Sequence, residues 1–204
     1  MTLLHTSAPF WDVWRAWFLS DGIGIVMVTP LVIALGRVWS EQPSRGELIE
    51  GTGVLALVTL TSFYVVTHPT ESWLSFSPGA VVLPLLLWLT TRCPPAFPIA
   101  GAFVASIAMV YATTFGLGRF GDAGVPIMER VKGAQVAITM VTIFTLVLAA
   151  LFAERRSREA KLAGILGIAG DAIVSIDADH RITLFNKAAE KLYGYSQSEA
   201  LVSP

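Results

Sequence analysis

Ile143-Phe144-Thr145-Leu146-Val147-Leu148-Ala149-Ala150-Leu151-Phe152-Ala153 runs without a charge into Glu154-Arg155-Arg156-Ser157-Arg158-Glu159-Ala160-Lys161. This junction decides the fold class. The 204-residue chain carries 15 of its 29 charged side chains in residues 1–153 and the other 14 in the last 51. A soluble domain is about 25% charged. The second stretch reaches that density and the first holds less than half of it. The reading is an integral membrane part over 1–153, a connecting helix over 154–166 and the start of a water-soluble domain over 167–204. The composition also excludes function classes. A net charge of −1 argues against nucleic-acid binding through bulk charge. A single cysteine, Cys93, rules out a disulfide framework and any multi-cysteine metal site.

Crossing about 30 Å of hydrocarbon takes roughly 20 apolar residues in a helix. Gly51–Thr67, Ser72–Thr91, Cys93–Gly118 and Gly133–Ala153 contain no charge, and Trp17–Gly36 contains only Asp21. These windows predict five transmembrane helices, because only a helix satisfies its own backbone amides at these lengths in lipid. In the third window, Pro78-Gly79 predicts a late start and a short helix kinked at Pro84. Five spans with a cytoplasmic C-terminus place seven basic residues inside (Arg37, Arg45, Arg92, Arg155, Arg156, Arg158, Lys161) and four outside (Arg15, Arg119, Arg130, Lys132). Trp11, Trp14, Trp17, Trp39, Trp73 and Trp88 fall near span ends, as interfacial anchors do. Met1–Phe10 has no basic n-region of a signal peptide.

Trp17-Phe18-Leu19-Ser20-Asp21-Gly22-Ile23-Gly24, continuing to Thr29-Pro30-Leu31, resembles the W-x-L-x-D-x-x-G…T-P-L signature of the MASE1 family of membrane-associated bacterial sensor domains. Pro84–Trp88, Thr113–Phe120 and the long last span ending in Glu154-Arg155-Arg156 are similar to the same family, over roughly residues 12–156. Members usually have more spans, so the resemblance implies that the first few are missing. It also implies a place in the bacterial inner membrane.

Downstream, Ile173–Ile176 and Ile182–Phe185 are short β-branched runs joined by the polar Asp177–Arg181, a hairpin signal. Asn186 is placed to cap a following helix, in which Ala188, Ala189, Leu192 and Tyr193 recur at helical spacing. Ser196-x-x-Glu199 is a capping box for another. With Asp177, Gly194 and Tyr195 this stretch resembles the first part of a PAS domain, an α+β fold. Such a domain needs about twice this length, and the 34 residues from Asp171 are too few to bury a core alone. The tail is therefore expected to be unstable in isolation. In that family a small-molecule cavity lies between sheet and helices, but its contacts would come mostly from segments absent here. No cofactor follows from the sequence.

Glu154 and Arg158 form an i,i+4 pair on a polar stretch rich in helix formers, so the last span is expected to continue through it. Such a helix either passes a piston or rotational shift onward or serves as a passive connector. Asp21 is the one ionisable group within a span. It is either a functional group or, with Ser20, a helix N-cap in the headgroup layer. Gly22, Gly24, Pro30, Gly118 and Arg119 join it as candidate sensing or packing positions. Gly116–Gly121 fits G-x-G-x-x-G literally but follows a membrane helix, which favours an external loop over a dinucleotide site. His68 reads as an ordinary interfacial residue, Cys93 as a plain loop cysteine, and Asp177 with Asp179 as a turn rather than a metal site. Thr59, Thr61, Ser62, Ser106, Thr139, Thr142 and Thr145 suit close helix packing.

The function expected is the membrane input region of a bacterial signalling protein of the histidine kinase or diguanylate cyclase type, with the output module outside this chain. It would be a homodimer in the lipid bilayer, answering an unidentified small or lipid-soluble ligand. A small transporter with a vestigial tail is the alternative, as is a truncated gene product. No nucleophile–base constellation supports catalysis.

Overall fold

The computed structural model describes residues 10–41, 43–67, 78–118, 122 and 124–202. The backbone divides into two compact units, Met1–Ala153 and Glu154–Pro204. The first is made of helices α1 (Phe10–Glu41), α2 (Arg45–Thr67), α3 (Pro78–Arg92), α4 (Ala96–Phe115) and the greater part of α5 (Ile127–Ile168). Four of these are long and apolar enough to cross a membrane: α1, α2, α4 and α5. The fifth, α3, has 15 residues, starts at Pro78 and carries Pro84 inside it. Its late start agrees with the reading of Pro78-Gly79, since proline suits a first turn, where its missing N–H has no partner to lose.

Helix α4 is the centre of the bundle. Of its apolar window 61% is buried, against 6% for α1. The reason is its side chains. Ala102, Ala105, Ser106, Ala108 and Ala112 line its buried face, and small residues let neighbouring backbones come close where no hydrophobic force against lipid is available. Around that face pack Val58 of α2, Val82, Leu86 and Leu89 of α3, and Ile138 and Val141 of α5. Gly51 and Gly101 mark the tightest approaches. A Cβ on Gly51 would stand 2.7 Å from the Phe97 ring, and one on Gly101 2.8 Å from a Leu86 methyl. Cys93 lies in the short connection between α3 and α4, as its loop reading expects, and belongs to the same cluster at 0% exposure. The Leu89 carbonyl accepts its N–H at 3.0 Å, which closes the end of α3 before Pro94-Pro95 leads into α4.

Two helix ends are built from local chemistry. Gly116 closes α4 in the left-handed region (φ 68°), donating its N–H to the Ala112 carbonyl, and Gly118 follows at φ 53°. Glycine meets this geometry without a Cβ clash. At the start of α2, Ser44 and Glu47 form a reciprocal capping box: the Glu47 carboxylate accepts from Ser44 N–H at 2.9 Å and Oγ–H at 2.8 Å. The sequence reading missed this pair.

Helix α5 has 42 residues, about 63 Å at 1.5 Å per residue and twice the hydrocarbon thickness. Beyond Ala153 the pairs Arg158–Glu154 at 2.6 Å and Arg155–Glu159 at 2.9 Å lie on its exposed surface. The first is the pair expected from spacing. Each is worth only a few tenths of a kcal/mol, about 0.3–0.5 for an exposed i,i+4 pair.

In the second unit β1 (Val174–Ile176) pairs antiparallel with β2 (Ile182–Phe185), with Val174 opposite Phe185 and an irregularity between Ser175 and Ile176. The turn between them is held by Asp177, whose Oδ1 accepts the N–H groups of Asp179 and Arg181, each at 2.9 Å. That carboxylate is therefore engaged as a turn former, in keeping with the reading of Asp177 and Asp179. Helices α6 (Lys187–Tyr193) and α7 (Gln197–Val202) follow, and Phe185, Ala189 and Ala200 make a small core against them.

The capping box of α7 forms as its spacing predicts. Glu199 Oε2 accepts from Ser196 Oγ at 2.7 Å and from Ser196 N–H at 2.8 Å. The hydroxyl first, and the amide second, hold the Glu199 carboxyl below the usual carboxylate range. A depressed folded-state value means that the cap contributes fully at neutral pH and is lost as pH falls through that value. Ser196→Ala is expected to move the Glu199 titration upward toward the unfolded value and to fray α7. Carbon NMR of the Glu199 carboxyl across an acid titration reads this directly.

Candidate functional site

Two regions gather the candidate residues: a groove within the membrane unit and a node at the start of the PAS-like unit.

The groove lies between α1 and α5. It encloses about 170 Å³ and is bordered by Phe18, Gly22, Val26 and Met27 from α1 and by Thr139, Thr142 and Ile143 from α5. Deeper in, a void of about 10 Å³ is bordered by Met27, Ala102, Thr142 and Thr145. Within the charge-free window Gly133–Ala153, Thr142 is nine residues from the start, about 14 Å along the axis, close to the bilayer midplane. Hydroxyls in membrane helices usually donate to the carbonyl one turn back. Here Thr59 does so to Leu55, Ser106 to Ala102, Thr113 to Met109 and Thr139 to Gln135, at 2.7–2.9 Å. Ser62, Thr142 and Thr145 break the pattern. They are 3%, 5% and 1% exposed, and their hydroxyls have no hydrogen-bond partner among the described residues.

Among the described residues, Gly22 is the one candidate sensing or packing position of the Asp21–Arg119 set that borders this groove, beside Thr139 and Thr142, which the sequence offered for close helix packing. Asp21 cannot be an N-cap. Helix α1 begins at Phe10, so Asp21 sits in its interior, exposed on its surface. The capping reading failed because the charged and aromatic stretch before Trp17 continues the helix instead of preceding it. Gly24 faces open space, with nothing within 4 Å of where a Cβ would stand. Close packing falls to Gly51 and Gly101. Helix α1 continues through Pro30 to Glu41. Gly118 lies in the turn after α4 as a conformational requirement. Arg119, His68 and Trp73 lie outside the described residues.

A cluster missed in the sequence ties α2 to α3. Glu50 Oε1 accepts Trp88 Nε1–H at 2.9 Å and pairs with Arg92 Nε at 3.1 Å, and the Arg92 guanidinium lies 5.9 Å from the centroid of the Trp88 ring. The partners are 38 residues apart, so no spacing rule shows them. Trp88→Phe keeps the ring and removes the donor. It is expected to cost about 0.5–1 kcal/mol, measured as an earlier thermal transition of the purified protein.

The node is Asn186. Its Oδ1 accepts the N–H of Ile173 at 2.9 Å and of Ala189 at 3.0 Å, and its Nδ2 donates to the carbonyls of Asp171 at 3.0 Å and Leu166 at 3.3 Å. One amide thus fills its hydrogen-bonding capacity while 5% exposed. It caps α6, fixes the strand entry, and satisfies a carbonyl in the last turn of α5 that would otherwise lack a partner. The spacing predicted the cap alone. Ala189 fills the core behind the node at 0% exposure, and Gly194 ends α6 at φ 80°. Tyr195, with Val174, Ile182 and Tyr193, borders an open apolar hollow of about 400 Å³.

Comparison with known families follows this division. The MASE1 family model matches residues 1–156, and the PAS fold model matches residues 160–204. No curated protein and no solved structure matches the chain.

Proposed function

The chain belongs to the MASE1 family and continues into a PAS fold, the sensory input region of a membrane signalling protein, and from that premise we propose how it signals. Residues 1–153 sense a cue in or across the inner membrane, 154–166 carry the response, and 167–204 receive it. The excess of basic residues on one side, with Arg155, Arg156, Arg158 and Lys161 clustered after the last span, supports a cytoplasmic C-terminus. The receiving fold would act in a homodimer and control an output module of the histidine kinase or diguanylate cyclase type.

One observation carries this reading. A single helix, Ile127–Ile168, includes both the groove-bordering Thr142 and the Leu166 carbonyl that Asn186 holds. A rotation or shift of α5 therefore reaches the hydrogen bonds that set the entry to β1. A few kcal/mol between two arrangements of α5 is sufficient for a switch.

The test uses helical phase. The chain is joined to a complete PAS–output module, and residues are inserted after Ser157. One inserted residue turns everything downstream by about 100°, whereas seven restore the phase to within about 20°. Output is expected to change with one and to recover with seven. Output indifferent to insertion, and to deletion of 12–153, rejects the reading.

A further inference from the structure

The groove between α1 and α5 has a size, a lining and one unusual hydroxyl, that of Thr142, and together these specify an occupant. We infer that it binds an uncharged, single-ring, lipid-soluble molecule carrying one hydroxyl or carbonyl, with Thr142 supplying the hydrogen bond. The inference rests on the sensory reading above and names the ligand class and its site.

Size comes first. The groove encloses about 170 Å³, and an apolar cavity of about 150 Å³ takes up benzene. A crossing helix would need a channel along the full height of the bilayer, whereas the bordering residues here span less than three turns of α1, Phe18 to Met27. Polarity comes next. Near the midplane no water competes for a hydroxyl, and a buried one without a partner costs about 1–3 kcal/mol. Thr142 is 5% exposed, has no partner among the described residues and borders both the groove and the void behind it. Thr139, one turn earlier on the same groove, donates to Gln135 at 2.7 Å. Helix α5 therefore permits this backbone bond on the groove side, and Thr142 does not make it. A ligand oxygen at Thr142 satisfies it. Access is lateral, since Phe18 and Ile143 at the mouth are 62% and 51% exposed. Gly22 leaves room for the ring, because nothing stands within 4 Å of where its Cβ would be.

Two matched probes test the inference in the 204-residue chain reconstituted in lipid nanodiscs. They are para-fluorophenol, which carries the hydroxyl, and fluorobenzene, which does not, each followed by fluorine NMR. Saturable binding of para-fluorophenol is expected in the unsubstituted protein. Thr142→Val, which keeps the shape of the side chain, should weaken it about tenfold, the worth of one hydrogen bond, while changing fluorobenzene less than about twofold. Thr142→Ser should restore it. Gly22→Leu should fill the groove and abolish saturable binding of both. Signals that grow linearly with lipid and are alike in all four proteins overturn the inference. So does an equal loss of both probes in Thr142→Val, which would mean a purely apolar occupant such as an acyl chain. These measurements involve no output module. If binding fails while the fused output still responds to deletion of 12–153, the site is wrong and the sensory role stands. If the output is indifferent as well, the role itself is wrong.

Discussion

Asn186→Ala is expected to unlock the start of the PAS fold from the end of α5. The substitution strands the amides of Ile173 and Ala189 and the carbonyls of Asp171 and Leu166, all now held within 3.3 Å by one side chain. Loss of the cap alone costs about 1 kcal/mol. Backbone groups left unsatisfied at a site 5% exposed add to it, for a total of about 2–3 kcal/mol. The unit concerned has a core of three buried side chains, Phe185, Ala189 and Ala200, so this is a large share of its stability. Hydrogen exchange in the full chain reads the effect residue by residue. Ile173 and Ala189 amides should lose protection, while those of α4 should not change. Asn186→Asp separates the two roles of the node. A carboxylate still accepts from Ala189 and keeps the cap. It cannot donate to Leu166 and Asp171, and it sets a negative charge against their carbonyl oxygens. Protection at Ala189 should then persist while response to insertion after Ser157 disappears. Unchanged exchange at Ile173 in Asn186→Ala would remove the node from the mechanism.

What could be read from the sequence was local in the chain. The charge break at Ala153/Glu154, the Glu154–Arg158 pair, the Ser196–Glu199 box and the Asn186 cap each involve residues at most four apart, where backbone geometry fixes who meets whom. The late start of α3 followed from the stereochemistry of Pro78. The Ser44–Glu47 box is equally local, but it lies before the charge-free window that opens at Gly51, where hydropathy carries no signal. Other features could not be read this way. Glu50 and Trp88 meet across 38 residues, and Cys93 is buried within a cluster that gathers residues of α2, α3, α4 and α5. Asp21 was misplaced because a membrane helix can extend past its apolar window, and hydropathy marks the window only. The same limit applies to the glycines. Gly22, Gly24, Gly51 and Gly101 look alike in sequence, yet α4 touches α2 and α3 at two of them and the other two face open space.

Gly101→Val turns that difference into a measurement. In propensity alone the change favours the helix, because glycine is the poorest helix former after proline by about 0.3–0.5 kcal/mol relative to valine. Packing opposes it. A Cβ at residue 101 would stand 2.8 Å from a Leu86 methyl and 3.3 Å from one of Leu89, and those side chains are 1% and 0% exposed. Both belong to the buried core cluster, so making room for the new side chain disturbs packing between α3 and α4. Such overpacking costs about 1–3 kcal/mol, and valine adds two γ carbons beyond the Cβ, which places the net effect near the upper end. Gly24→Val makes the same chemical change on α1, where no atom lies within 4 Å of the Cβ position, so only the propensity gain should remain. Unfolding of the two purified variants by titrated denaturing detergent should therefore diverge, with Gly101→Val unfolding well before the unsubstituted protein and Gly24→Val at or slightly beyond it. Equal behaviour of the two would mean that α3 and α4 do not meet at Gly101, and the central position of α4 in the bundle would have to be abandoned.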